Sequence, residues 1–136
     1  MMNDNDFEQK VKRIDSEIAA IYMNITSSIL YLILSYKERI IAIDKYTGTN
    51  YQSRYPDTTN FSEIAILALV IANGIFLYNS YIELNDRIDR YKKTGNNTGL
   101  DASSNYFYSN VLQFASSLIV LYNVFILKDI GIDVLA

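Results

Sequence analysis

Long apolar stretches alternate with short polar segments along the chain, and one apolar stretch dominates. Residues 64–82 read IAILALVIANGIFLYNSYI and contain no charge. Between Ile64 and Tyr78 only Asn73 is polar, so a helix here is apolar on every side and must be surrounded. Two flanking helices from the same chain cover only part of its circumference. We therefore expect lipid or other copies of the chain to cover the remainder.

A regular apolar pattern lies in the first predicted helix, residues 4–46. Hydrophobic residues recur in alternating steps of four and three, with Ser28 in the one gap, and we name this set the N-terminal seam: Phe7, Val11, Ile14, Ile18, Ile21, Ile25 and Leu32. Such spacing is typical of a helix packed against another helix. The seam continues from charged residues into the uncharged residues 18–36. This continuity predicts contact with protein over its whole length.

Two further helices are predicted at residues 61–93 and 102–130, after a polar loop at 47–60 that holds the only proline, Pro56. The second helix ends in a charged, amphipathic half, and the third has no charge from Ala102 to Leu127. A polar stripe on the third helix indicates a preferred face: Asn105, Ser109, Gln113, Ser116 and Asn123. The predicted fold class is all-α, a single domain 1–136. Its three helices form an up-down-up bundle completed by neighbouring subunits or lipid.

Composition removes most kinds of catalytic site. The chain has no His and no Cys, which excludes Glu-x-x-His di-iron sites, His- or Cys-liganded zinc sites and Ser-His-Asp triads. No Gly-rich phosphate loop is present, and the carboxylates stand among Lys and Arg at the helical spacing of a solvated, ion-paired surface. We expect neither enzymatic activity nor a metal or cofactor.

Basic residues gather at one end of the predicted bundle, where the first helix begins, the second ends and the third begins. We name these seven residues the basic set: Lys10, Lys12, Arg13, Arg87, Arg90, Lys92 and Lys93. Nine acidic residues share this end, so its net charge is about -2, and contact with phosphate would have to be local. The other end carries five basic residues. In a membrane this difference favours a cytoplasmic location for the basic end.

The length and hydropathy of the apolar helices are compatible with covering by lipid or by other protein subunits. The uncharged stretches of 19 to 26 residues satisfy the requirement of roughly 20 for a membrane span. The second stretch is apolar enough by hydropathy, and the other two lie near the usual threshold. Against lipid stand the seam that crosses a charge boundary, the polar stripe and the absence of Trp. We therefore favour other subunits slightly over lipid as the covering of the apolar helices.

The helix layout resembles that of the small helical major capsid proteins of archaeal spindle-shaped and tailed spindle viruses. The similarity covers a long helix from Phe7 to Ile43, a hairpin through Pro56, the apolar residues 64–82 and an apolar closing helix from Val111 to Leu127. It implies subunits that pack in helical strands around a genome and meet through apolar faces.

The resulting prediction is a non-enzymatic, self-assembling virion coat subunit. Its expected partners are copies of itself, and double-stranded DNA is a candidate partner. The basic set would face the nucleic acid. The expected subunit contacts are apolar residues of the second and third helices: Ile64, Leu67, Ile71, Ile75, Leu118, Leu121 and Phe125. The alternative is a small membrane protein with three transmembrane helices, such as a holin-like, immunity or accessory subunit. There lipid is the partner, and Asn73, Gln113 and Asn123 bond between helices.

Overall fold

Three long helices account for most of the chain in the computed structural model, which describes residues 2–127. Helix α1 comprises Asp4–Thr47, α2 Phe61–Thr94 and α3 Leu100–Tyr122. A 3-10 helix, Tyr51–Arg54, interrupts the first loop, and a π-helical turn, Asn123–Leu127, continues α3. No strand occurs among the described residues, so the all-α prediction is confirmed. The predicted end of the third helix at residue 130 lies outside this range.

The helix ends follow from local chemistry. The Asn3 side-chain oxygen accepts a hydrogen bond from the Asp6 N–H at 2.8 Å, which satisfies one of the free donors of the first turn of α1. Gly48 and Gly95 end α1 and α2 with φ angles of 71° and 68°. Glycine adopts this left-handed conformation without the steric cost that a Cβ atom brings, so each helix stops where a glycine follows.

Helix α2 lies in the middle of the molecule. Asn79 Nδ2 donates to the Arg13 carbonyl of α1 at 3.3 Å, and Asn110 Nδ2 of α3 donates to the Phe76 carbonyl of α2 at 3.4 Å. No Cα atom of α1 lies within 8 Å of a Cα atom of α3 in the described residues. The three helices therefore form a layer, with α2 between α1 and α3.

Asp44, near the end of α1, organises the loop that follows. Its carboxylate accepts hydrogen bonds from Thr49 Oγ1 at 2.6 Å, from the Tyr51 N–H at 3.0 Å and from the Gln52 N–H at 2.8 Å. Burial of the Asp44 carboxyl raises its pKa, but the three hydrogen bonds together outweigh burial and hold the pKa below its ordinary value. The ionised side chain thus caps the 3-10 helix.

The rest of the loop also binds to α1. Tyr55 donates its hydroxyl to the Ile33 carbonyl at 3.0 Å, and Lys37 Nζ donates to Thr58 Oγ1 at 2.7 Å. Thr58 is buried. The predicted polar loop is therefore partly packed on the last turns of α1, which sets where α2 begins.

Replacing Asp44 with Ala should open this loop. The Tyr51 and Gln52 N–H groups lose their acceptor, so trypsin should cleave after Arg54 severalfold faster than in the unchanged protein at pH 7.

The pKa of Asp44 is lowered by folding, so its stabilisation is full above the ordinary carboxyl pKa of about 4 and is lost as the pH falls below it. Hydrogen exchange of residues 51–52 should show the difference between the two proteins shrinking below that pH. Asp57→Ala is the control; equal cleavage of the Asp44 and Asp57 variants would contradict the capping role.

Candidate functional site

The helices pack through small and polar side chains. Apart from Asp44, the buried helical positions among the described residues recur seven residues apart. They are Ala20 and Ser27 in α1; Ala65, Ala72 and Asn79 with Ile66, Asn73 and Ser80 in α2; and Ser103, Asn110 and Ser117 in α3, followed by Val124. A seven-residue repeat keeps one helix face against its neighbour over several turns. Ile66 and Val124 alone in this set are apolar and larger than Ala. Side chains this small let helix backbones approach closely.

The outer surface is more apolar than the interior. Among the described residues, 28 large hydrophobic side chains are exposed, whereas five hydrophobic residues are buried. The accessible surface is 9733 Å². A compact monomer of the same mass, 15.6 kDa, exposes about 7,200 Å². This distribution is the inverse of that in a water-soluble domain and leaves a large apolar surface on the described part of the chain.

The N-terminal seam faces away from α2. Its members are all exposed, from 37% for Val11 to 60% for Phe7. They lie on the side of α1 opposite Ala20 and Ser27, because residues two apart on a helix point about 200° apart. α1 turns its small residues toward α2, which allows close approach but leaves the bulky residues outside. The protein contact expected for the seam is therefore not made within residues 2–127.

The predicted subunit-contact residues also lie on the outside. Ile64, Leu67, Ile71 and Leu118 are exposed. Ile75, Leu121 and Phe125 are half-buried. Ile71 and Ile75 line a shallow groove between α1 and α2, beside Gly74. None of the seven belongs to the buried interior, so all remain available to a covering phase.

The polar stripe predicted on α3 is not the face that α2 covers. Asn105, Ser109, Gln113 and Ser116 are exposed and Asn123 is half-buried, while Ser103, Asn110 and Ser117 are buried instead. A shift of one residue turns a helix face by about 100°. The seven-residue spacing of the buried set is a signal in the sequence that would have identified the packed face.

Part of that stripe borders a polar groove on one face of the layer. The groove is 460 Å³ in volume and is lined by residues of all three helices: Asn24, Leu69, Asn73, Leu112, Gln113, Ser116, Ser117 and Val120. Asn73 Nδ2 donates to the Gln113 carbonyl at 3.3 Å, so Asn73 does bond between helices, although to the backbone of Gln113. Asn123 makes no such bond within residues 2–127. Asn24 Oδ1 is buried there without a donor from the described chain.

Four members of the basic set share a second groove at the predicted basic end. Lys10, Arg13, Arg87 and Arg90 line this groove of 410 Å³ together with three carboxylates. Two of the four form ion pairs: Arg13 Nη1 lies 3.5 Å from Asp86 Oδ2, and Arg87 Nη2 lies 3.0 Å from Glu83 Oε1. Four positive and three negative charges leave a local balance of +1.

The other three basic residues lie apart from that groove. Lys12 lines the other groove between α1 and α2, with Ile71 and Gly74. Lys92 and Lys93 are exposed in the last turn of α2. The structure therefore brings together a part of the predicted nucleic-acid-facing set, and that part is largely neutralised.

Each of the three helices has an 18-residue window apolar enough and poor enough in charge to cross a membrane. The first and third helices, whose hydropathy was expected to lie near the usual threshold for a membrane span, also meet this requirement. Within the described residues no cluster of three or more metal-binding side chains occurs. Comparison with protein-family models, curated proteins and solved structures finds no match to this chain.

Two neighbouring substitutions in α2 test which face of this helix is packed inside the molecule. Ala72→Leu inserts a large side chain where no surface is exposed and should destabilise the fold by about 1–3 kcal/mol. Ile71→Ala removes a side chain that is 51% exposed and should change the free energy of unfolding by less than about 1 kcal/mol. Denaturation in detergent micelles measures both. A larger loss for Ile71→Ala would contradict the inverted packing.

Proposed function

We propose that the chain is an integral membrane protein with three spanning helices, acting as a non-catalytic structural or accessory subunit. One observation carries this proposal: the interior between the helices is small and polar while the outer surface is apolar. In water, apolar surface costs about 25 cal/mol per Å² that remains exposed. Lipid chains remove that cost without any further protein.

Several polar groups of the interior meet the chemical requirement of a bilayer, whereas Asn24 Oδ1 and the Tyr31 hydroxyl are buried without a partner in the described chain. Polar groups in hydrocarbon must find partners inside the protein, because no water is available to them. Asn110 and Asn73 donate to carbonyl groups of the neighbouring helix. Ser80 and Ser117 donate to carbonyls of their own helices, at 2.9 and 2.7 Å. Both kinds of bond occur in membrane helix packing.

The lengths agree with the thickness of a bilayer. Residues 18–36 and 64–82 are 19-residue uncharged stretches, and 102–127 is a stretch of 26. At 1.5 Å per residue the shorter two span about 28 Å, against roughly 30 Å of hydrocarbon. The first turns of α1 and the last turns of α2 extend beyond this band, where the Arg13–Asp86 pair joins them.

The proposal predicts that the protein stays in the membrane pellet after a sodium carbonate wash and dissolves only with detergent. Three spans also place the two loops on opposite sides. Ser53→Cys in the first loop and Asn97→Cys in the second provide single labels in a chain that has no cysteine. A membrane-impermeant maleimide should label Ser53→Cys in intact cells and Asn97→Cys only after permeabilisation, because the basic end stays inside.

Two results would contradict the proposal. Release of the protein by carbonate would show that lipid does not cover it. Labelling of both loops from the same side would show that α2 does not cross. The reverse pattern, with Asn97→Cys labelled from outside, would overturn the orientation and leave the three spans intact.

A second candidate is the virion coat subunit, which the N-terminal seam favours. Its exposed members Phe7, Val11 and Ile14 lie beyond the uncharged stretch, where lipid hydrocarbon does not reach. In a coat, other subunits would cover these residues and the apolar faces of α2 and α3, and the groove holding Lys10 and Arg90 would offer the local phosphate contact. This reading places the protein in the virion.

Expression without detergent tests the coat reading. Filaments or large particles in the soluble fraction, visible by negative-stain electron microscopy, would support it. Ile71→Glu should abolish their assembly, because a charge would replace an exposed apolar contact. Particles that still form with Ile71→Glu, or a protein recovered only from washed membranes, would count against the coat.

A further inference from the structure

The N-terminal seam is longer than the lipid that could cover it. From Phe7 to Leu32 it measures about 37 Å along the helix, whereas the hydrocarbon core of a bilayer is about 30 Å thick. Lys10, Lys12, Arg13, Asp15 and Glu17 are interleaved with its first three members. Charges at these positions keep that part of α1 out of hydrocarbon. Phe7, Val11 and Ile14 therefore need a covering other than lipid.

The spacing of the seam fits another helix. Lipid chains cover any apolar helix face and impose no register on it. The seam instead alternates steps of three and four, which are the a and d positions of a coiled coil, and Ser28 occupies a d position. All of these apolar side chains are exposed, so the seam is free along its full length in the described chain.

We propose that the N-terminal seam is a self-association surface, on which a second copy of the chain places its own seam in a parallel, two-stranded coiled coil. The parallel orientation rests on the proposed membrane function, because copies inserted with one topology present α1 in the same direction. A two-fold axis along the membrane normal then brings each seam residue against its own copy.

The charges beside the seam complement one another in this arrangement. In a parallel coiled coil a g residue of one helix meets the e residue of the next heptad on the partner. With Val11 at an a position, Lys10 is a g residue and Asp15 is the matching e residue. Both are exposed, and neither forms an ion pair within residues 2–127. The next such pair, Glu17 with Tyr22, brings no like charges together.

Cysteine cross-linking tests this surface, because the chain has no cysteine of its own. Purified single-cysteine variants are reconstituted in phosphatidylcholine–phosphatidylglycerol vesicles at high lipid excess and oxidised with copper phenanthroline. Val11→Cys and Ile18→Cys should each form at least about fivefold more disulfide-linked dimer than Ala19→Cys, because a disulfide needs Cβ atoms within about 4.5 Å. Ala19 is exposed beside the seam, and Ile119→Cys is the apolar control on α3.

Charge reversal tests the register. Lys10→Glu in the Val11→Cys background should lower dimer formation at low salt, and adding Asp15→Lys should restore it. A double variant that cross-links no better than Lys10→Glu would overturn the parallel pairing. Equal cross-linking at Ala19 or Ile119, or none at the seam, would overturn the surface itself. If the protein still resisted carbonate extraction, the membrane proposal would stand without this dimer.

Discussion

Close approach of the helix backbones is the constraint on which the rest of the structure depends. α1 and α3 pack on α2 through Ala, Ser and Asn, and Ala20, Ala65 and Ala72 have no exposed surface at all. Small residues dominate the buried positions, and Ile66 is the one large apolar side chain that is fully buried within residues 2–127. Most other large Ile, Leu and Tyr side chains are exposed or half-buried, so the described surface is strongly apolar.

The polar ends position this layer. At one end the Asp44 carboxylate and the Lys37–Thr58 bond hold the first loop against α1. At the other end the Arg13–Asp86 pair joins the charged turns of α1 and α2. These groups lie outside the uncharged stretches, so they could interact with water if lipid or other subunits cover the middle of the layer. The ends thus define the depth at which the middle is covered.

The layer has three surfaces of different chemistry, because α2 separates the backbones of α1 and α3. The outer edge of α1 carries the regular N-terminal seam, which suits a helix partner. One face carries the polar groove around Asn73, where Asn24 Oδ1 lacks a donor from the described chain. The remaining apolar surface shows no such regular spacing. Lipid or a loosely specified partner would not need one. An exposed surface of this variety favours a subunit that works in contact with other molecules.

The sequence by itself determined the helices, because caps and uncharged lengths are local properties. Helix α1, Asp4–Thr47, agrees closely with the predicted residues 4–46, and the all-helical class follows from the apolar pattern. The exposure of Ile64, Leu67, Ile71 and Leu118 was also foreseeable, since one chain cannot enclose an apolar helix. Only the tertiary structure decided which face of each helix is buried. In α1, the apolar seam and the small-residue repeat both predict helix contact. The structure buries Ala20 and Ser27 against α2, because small residues let the backbones approach closely, and the seam stays exposed.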